Sequence, residues 1–197
     1  MNNSRASLLT TIAVCMMALP SFAHADPSSN QRLGSGPSID ETSNYISNQI
    51  KIQGIIQSFA QFSYSGGDGA GVLNYRYKED YNPTPNGCKF NLYNRENNQY
   101  INIDFSQLQR VDIISGQELA YNSVAKDNHN VMIKPLSPLT PALFIVRANF
   151  VSNMLSAQGA SQSSLDIAFQ DHDTALRVSK AIVHANDLCG GRKDQPF

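Results

Sequence analysis

Apolar residues follow two periods along this chain, a helical one toward each end and a two-residue one between them. Ser38-Ile39-Asp40-Glu41 reads as a capping box, the serine hydroxyl covering the amide three residues on while Glu41 reaches back to the cap. A helix follows to about Lys51, with Tyr45, Ile46 and Ile50 as its apolar stripe. Gly54 weakens any continuation, and residues 52–64, with Ile55, Ile56, Phe59 and Phe62, fit a helical extension or a strand equally well. After a glycine-rich loop at 65–71 the period becomes two. Val72 to Tyr77 is the first strand, Cys88, Phe90 and Leu92 alternate in the second, and Ile101, Ile103 and Phe105 in the third. Leu108 to Ile114, a weaker piece near Glu118 to Val124, and Val131 to Ile133 follow as short strands. Leu136 to Pro141, with two prolines, reads as a connection. Ala142 to Phe150 is apolar on both faces, as a central strand would be, and Leu165, Ile167 and Phe169 mark the last strand. Asp171 then caps a helix with Ala175, Val178, Ala181, Ile182, Ala185, Leu188 and Cys189 along one side; Gly190-Gly191 ends it, and Arg192 and Lys193 complement its carbonyl end.

The first 25 residues have a different character. Arg5 is a short basic region, Leu8 to Leu19 an apolar run, and Ala23-His24-Ala25 a cleavage site with small residues where signal peptidase requires them. The run is shorter than the ~20 residues of a membrane span, and the bulky Val14 before Cys15 argues against a lipoprotein. Residues 1–25 therefore read as a signal peptide, 26–37 as a disordered lead-in rich in Pro, Gly, Ser and Asn, 38–191 as one β-rich domain and 192–197 as a tail. Cleavage removes Arg5 and no acid, leaving 14 Lys+Arg against 16 Asp+Glu. So small a net charge has no field to draw nucleic acid or anionic lipid, and no later segment has the length of a membrane span. Cleavage also removes Cys15 and leaves Cys88 and Cys189. An oxidising compartment would pair them, two buried free thiols being the alternative, and closing a loop of about 100 residues stabilises by roughly 4–5 kcal/mol. Both lie on core-facing positions, so the bridge would tie the last helix to the sheet.

The order helix, loop, about seven strands and terminal helix resembles the pleckstrin-homology-like barrel. Glu41-Thr42-Ser43-Asn44-Tyr45-Ile46, Cys88, Phe105-Ser106-Gln107-Leu108, Ala175-Leu176-Arg177-Val178-Ser179-Lys180-Ala181 and Leu188-Cys189-Gly190-Gly191 are similar to a pattern in exported bacterial domains of that shape. The resemblance spans about residues 38–191. It implies an α+β fold: a small antiparallel β-barrel, or two packed sheets, with an N-terminal helix and a C-terminal capping helix. It implies no catalytic residues. Lipid-binding members of that fold use a basic loop, whereas Lys78 here precedes Glu79, Asp80 and a Pro/Asn turn, which argues against phosphoinositide recognition.

Candidate chemistry is sparse. His129, His172 and His184, the last on the exposed side of its helix if the apolar stripe is buried, have no metal-ligand spacing, no serine sits in a nucleophile elbow, and bridged cysteines offer no thiolate. The glycine loop at 66–71 lacks the Lys-Ser/Thr of a phosphate cradle, and Asp68 alone supplies too few oxygens for calcium. Neither a metal nor a cofactor is expected. Glu79-Asp80 beside Tyr75, Tyr77 and Tyr81 is the acidic cluster with aromatic neighbours, and Asp127-Asn128-His129 is a polar turn before a strand. With these residues as the site candidates, elimination leaves an exported, disulfide-stapled β-rich domain without convergent ionisable groups. That predicts a non-enzymatic binding module of the bacterial cell envelope, periplasmic or secreted, holding a protein or peptide on a strand edge or end loops. The alternative is a secreted hydrolase or glycan-processing enzyme built on carboxylates such as Glu79, Asp80 or the 127–129 turn. An inhibitor or immunity protein against a cell-wall enzyme would be a special case of the first, presenting residues 79–87 or 151–163.

Overall fold

In the computed structural model, which describes residues 36–66, 69–126, 128, 131–155 and 161–191, the two periods separate into distinct elements. The signal peptide, most of the lead-in, the 127–129 turn apart from Asn128, and the tail with Arg192 and Lys193 lie outside the described residues.

Helix α1 (Ile39–Gln53) begins in the capping box: the Ser38 amide donates to Glu41 Oε2 at 2.7 Å and the Glu41 amide to Ser38 Oγ at 3.3 Å. It ends at Gly54, whose φ of 61° suits a residue without Cβ. The ambiguous stretch resolves as a strand, β1 (Ile56–Gly66), which turns Ile56, Ser58, Ala60 and Phe62 inward and Phe59 outward. A serine at an inward position and a phenylalanine at an outward one hide its period in the sequence. Strands β2 (Gly69–Glu79), β3 (Tyr81–Asn86), β4 (Lys89–Asn94) and β5 (Gln99–Asp104) follow. A 3-10 turn at Phe105–Gln107 leads into β6 (Leu108–Ser115), and then come helix α2 (Gly116–Lys126), β7 (Met132–Thr140), β8 (Phe144–Leu155), β9 (Ser161–Phe169) and helix α3 (His172–Leu188).

Several expectations change. The piece near Glu118 to Val124 is helical rather than extended: the Glu118 amide donates to Ser115 Oγ at 3.1 Å, and Ala120 is wholly buried. Ser115-Gly116-Gln117-Glu118 carries the serine-to-glutamate spacing of a helix start, and this was the signal to read. The proline-bearing segments are strands too. Pro135 and Pro138 lie in β7 and Pro83 and Pro85 in β3, and each strand is paired on one side, where a missing amide costs no ladder bond. Leu188 is exposed, and Asn186 instead faces inward from α3, donating to the Phe105 carbonyl at 2.6 Å. His184, expected on an exposed side, is half-buried with Nε2 3.0 Å from the Pro37 carbonyl oxygen.

The molecule is α+β. Among the described residues its strands form three antiparallel sheets, ordered β2-β1-β7, β3-β4-β5 and β6-β8-β9, none closed into a barrel. The third sheet is the partition of the fold. One face, with Val146, Ala148, Leu165, Ile167 and Phe169, packs against α1, α3 and the β3-β4-β5 sheet. The other, with Ile145 and Ala168, packs against β1, α2 and β7. Central β8 is therefore apolar on both faces, as its sequence predicts, and Ile145 and Val146 are both wholly buried. Asp171 caps α3 by accepting from the Thr174 amide at 2.7 Å. At its other end a disulfide joins Cys189 to Cys88, with Cα atoms 5.6 Å apart and a sequence separation of 101; the pairing is as expected, but Cys88 lies in the turn between β3 and β4 and not within the strand. Among the described residues no helix is long and apolar enough to cross a membrane.

Candidate functional site

Strand β2 supplies the first half of the site. Its two-residue period turns Leu73, Tyr75 and Tyr77 toward the second core and ends with Glu79 in the same row, buried to 5% exposure. The neighbouring Asp80 carries the opposite orientation and pairs with Arg95 at 3.3 Å. Lys78 pairs with Glu96. The acidic dipeptide is thus split between interior and surface and does not form a carboxylate pair.

Strand β9 supplies the second half. The Tyr77 hydroxyl hydrogen-bonds to Glu79, and the Ala168 amide of β9 donates to its two carboxyl oxygens at 3.1 and 3.3 Å. That amide points away from β8. In an antiparallel ladder residues face the partner strand alternately, so Leu165, Ile167 and Phe169 bond to β8 while Ser164 and Asp166, like Ala168, direct their backbone groups off the outer edge. The Asp166 carboxylate is held by Arg147 through two hydrogen bonds of 2.7 Å.

Between these halves lies a cavity of about 280 Å³ with mainly polar walls. Tyr77, Lys78, Glu79, Tyr81 and Asn94 form one wall; Gln162, Ser164, Leu165 and Asp166 form the other, along the open edge of β9.

Burial governs the protonation here. It pushes Glu79 up to about 8, against the hydrogen bonds from Tyr77 and Ala168, which favour the carboxylate; nearby Asp166 pushes the same way as burial. The Tyr77 and Tyr81 hydroxyls are raised by burial first and then by the charge of Glu79, and Tyr75 by burial, opposed by its hydrogen bond with Ser123. At neutral pH the site is a row of neutral donors and acceptors beside two ion pairs, Arg147–Asp166 and Lys78–Glu96.

Of the residues singled out from sequence, Tyr77 and Glu79 line this cavity, Tyr75 stands next in their row, Asp80 turns away, and Asp127 and His129 lie outside the described residues. Tyr81, named from sequence as an aromatic neighbour of the acidic pair, also lines the cavity, whereas Asn94, Arg147, Ser164, Asp166 and the Ala168 amide were not singled out. The alternation of Ser164 and Asp166 with Leu165 and Ile167 in β9 was the signal for two of them. A second concavity of about 430 Å³, between α1 and α3, is apolar, and its Glu41 and His184 are engaged with Ser38 and Pro37. Among the described residues no group of three or more His, Cys, Asp or Glu side chains could hold a metal ion.

No protein-family model matches this chain, and no match was found among curated proteins or among solved structures.

Proposed function

We propose that this protein is a non-enzymatic binding module of the bacterial cell envelope that holds an extended peptide against the outer edge of β9. The observation that carries this reading is the row of outward backbone groups at Ser164 and Asp166, which opens into a cavity roofed by phenols and an amide. An added strand satisfies such a row with main-chain hydrogen bonds, and the opposite wall then selects side chains. The disulfide and the leader-like residues 1–25 support an exported, periplasmic or secreted location. The order of helix, strands and terminal helix supports a resemblance to pleckstrin-homology-like domains, with the strands distributed over three sheets.

The hydrolase alternative needs two carboxylates free to act on one substrate. Asp80 faces Arg95, and Asp166 is held bidentately by Arg147, so the geometry supports binding better.

Ser164→Pro tests the reading, because it removes an outward amide without removing a bond to β8. A random peptide display library should be enriched on the wild type. The variant should melt at a similar temperature and lose that enrichment; equal enrichment on a folded S164P protein would sink the proposal.

A further inference from the structure

The groove along β9 has one closed end. Glu79 already occupies the Ala168 amide, so a guest strand bonds at Ser164 and Asp166 and can go no further. Past Ala168 the chain enters Phe169 and the cap of α3, and both Glu79 and Ala168 are buried. A guest chain must therefore end or turn sharply at Glu79.

The chemistry of that end distinguishes the two termini of a peptide. It presents the Glu79 carboxyl, the Asp166 carboxylate and the hydroxyls of Tyr77 and Tyr81. The cations nearby, Lys78 and Arg147, are engaged by Glu96 and Asp166. A carboxylate terminus would meet the Glu79 carboxyl, an Asp166 already paired with Arg147 and, among the described residues, no free cation. An ammonium would meet acceptors on several sides, its three N–H groups requiring what these oxygens offer. The direction of the chain agrees: with its amino terminus beside Ala168, the guest runs opposite to β9, in the antiparallel pairing that is the stronger per residue and that every strand pair among the described residues adopts.

We propose that the groove selects the free amino terminus of an extended peptide, bound antiparallel to β9 with its ammonium at Glu79. The inference rests on strand addition at β9 and adds its polarity and its terminal group. Arrival of the ammonium gives Glu79 the opposite charge it lacks, favours its carboxylate and releases its proton to solvent.

The test uses a random heptapeptide library fixed through its carboxyl termini, displayed once with free amino termini and once acetylated. The full-length protein should retain free-amine members about tenfold or more tightly than their acetylated counterparts, the worth of a charge-assisted hydrogen bond. Glu79→Gln, checked for folding by its melting curve, should bring the two libraries together. Equal retention of both libraries by the wild type would overturn the amino-terminal assignment and leave strand addition standing. Retention of neither would overturn strand addition itself, and the assignment with it.

Discussion

The two faces of the β6-β8-β9 sheet are built on opposite principles. On one, Phe90, Leu92, Val146, Ile167, Phe169 and Val178 are almost wholly buried, two capped helices cover the sheet, and a disulfide ties one of them down. On the other, the packing of Phe62, Ala120 and Ile145 is interrupted by the buried Glu79, and Tyr75, Tyr77 and the Arg147–Asp166 pair lie nearby. Each apolar side chain buried on the first face stabilises by about 1.5–3 kcal/mol. A buried carboxyl on the second opposes folding unless it stays protonated and hydrogen-bonded. The contrast teaches where this small domain keeps its rigidity and where it keeps its chemistry. The apolar side holds the partition in place so that the other side can carry groups that destabilise it.

Removing the covalent tie should have the largest effect. Cys88→Ser with Cys189→Ser should lower unfolding stability by roughly 4–5 kcal/mol in denaturant titrations, since the bridge closes a loop of about 100 residues. A loss below about 1 kcal/mol would mean that α3 is held by packing alone.

The second face should answer to pH. Glu79 titrates near 8 when folded against an ordinary 4.5, so the folded protein holds this proton more tightly than the unfolded chain. The stability linked to it is complete below pH 4.5 and is lost as the pH rises through about 8. Between pH 5 and pH 8 the wild type should lose on the order of 3 kcal/mol through this group alone. Glu79→Gln should abolish that loss in parallel thermal melts across the range. Identical pH profiles for the two proteins would show that Glu79 is not the interior's weak point.

The smallest effect should come from the start of α1, on the well-packed face. Ser38→Ala removes the hydroxyl that accepts from Glu41 and should cost about 1 kcal/mol by chemical denaturation, with no change in peptide capture. A change in capture would mean that the two faces are coupled through the central sheet.

Much of the apolar face was legible. Ser38 with Glu41 and Asp171 before a helical stripe announce two helices through bonds made within three residues, and the alternation at Phe90, Leu92, Ile101 and Ile103 announces two strands. The other face was less legible, for particular reasons. β1 turns a serine inward and a phenylalanine outward, which erases its period. In β3 and β7 prolines sit in strands paired on one side, where they are harmless; read locally, they signal turns. Glu79 stood out only as part of an acidic dipeptide with aromatic neighbours, and nothing nearby in sequence says that its side chain is buried while that of Asp80 is not.

By itself the sequence determined the capped helices, the short alternating strands and the pair of cysteines available to join them, because each depends on groups a few residues apart or on redox chemistry. Only the tertiary structure decided that β9 would keep an open edge and that Glu79 would close one end of it. The Ala168 amide that holds Glu79 in place lies 89 residues along the chain, and it is burial, acting against that hydrogen bond, that raises the proton affinity of the carboxyl. Desolvation is a property of everything packed around a group, and no local pattern of residues encodes it.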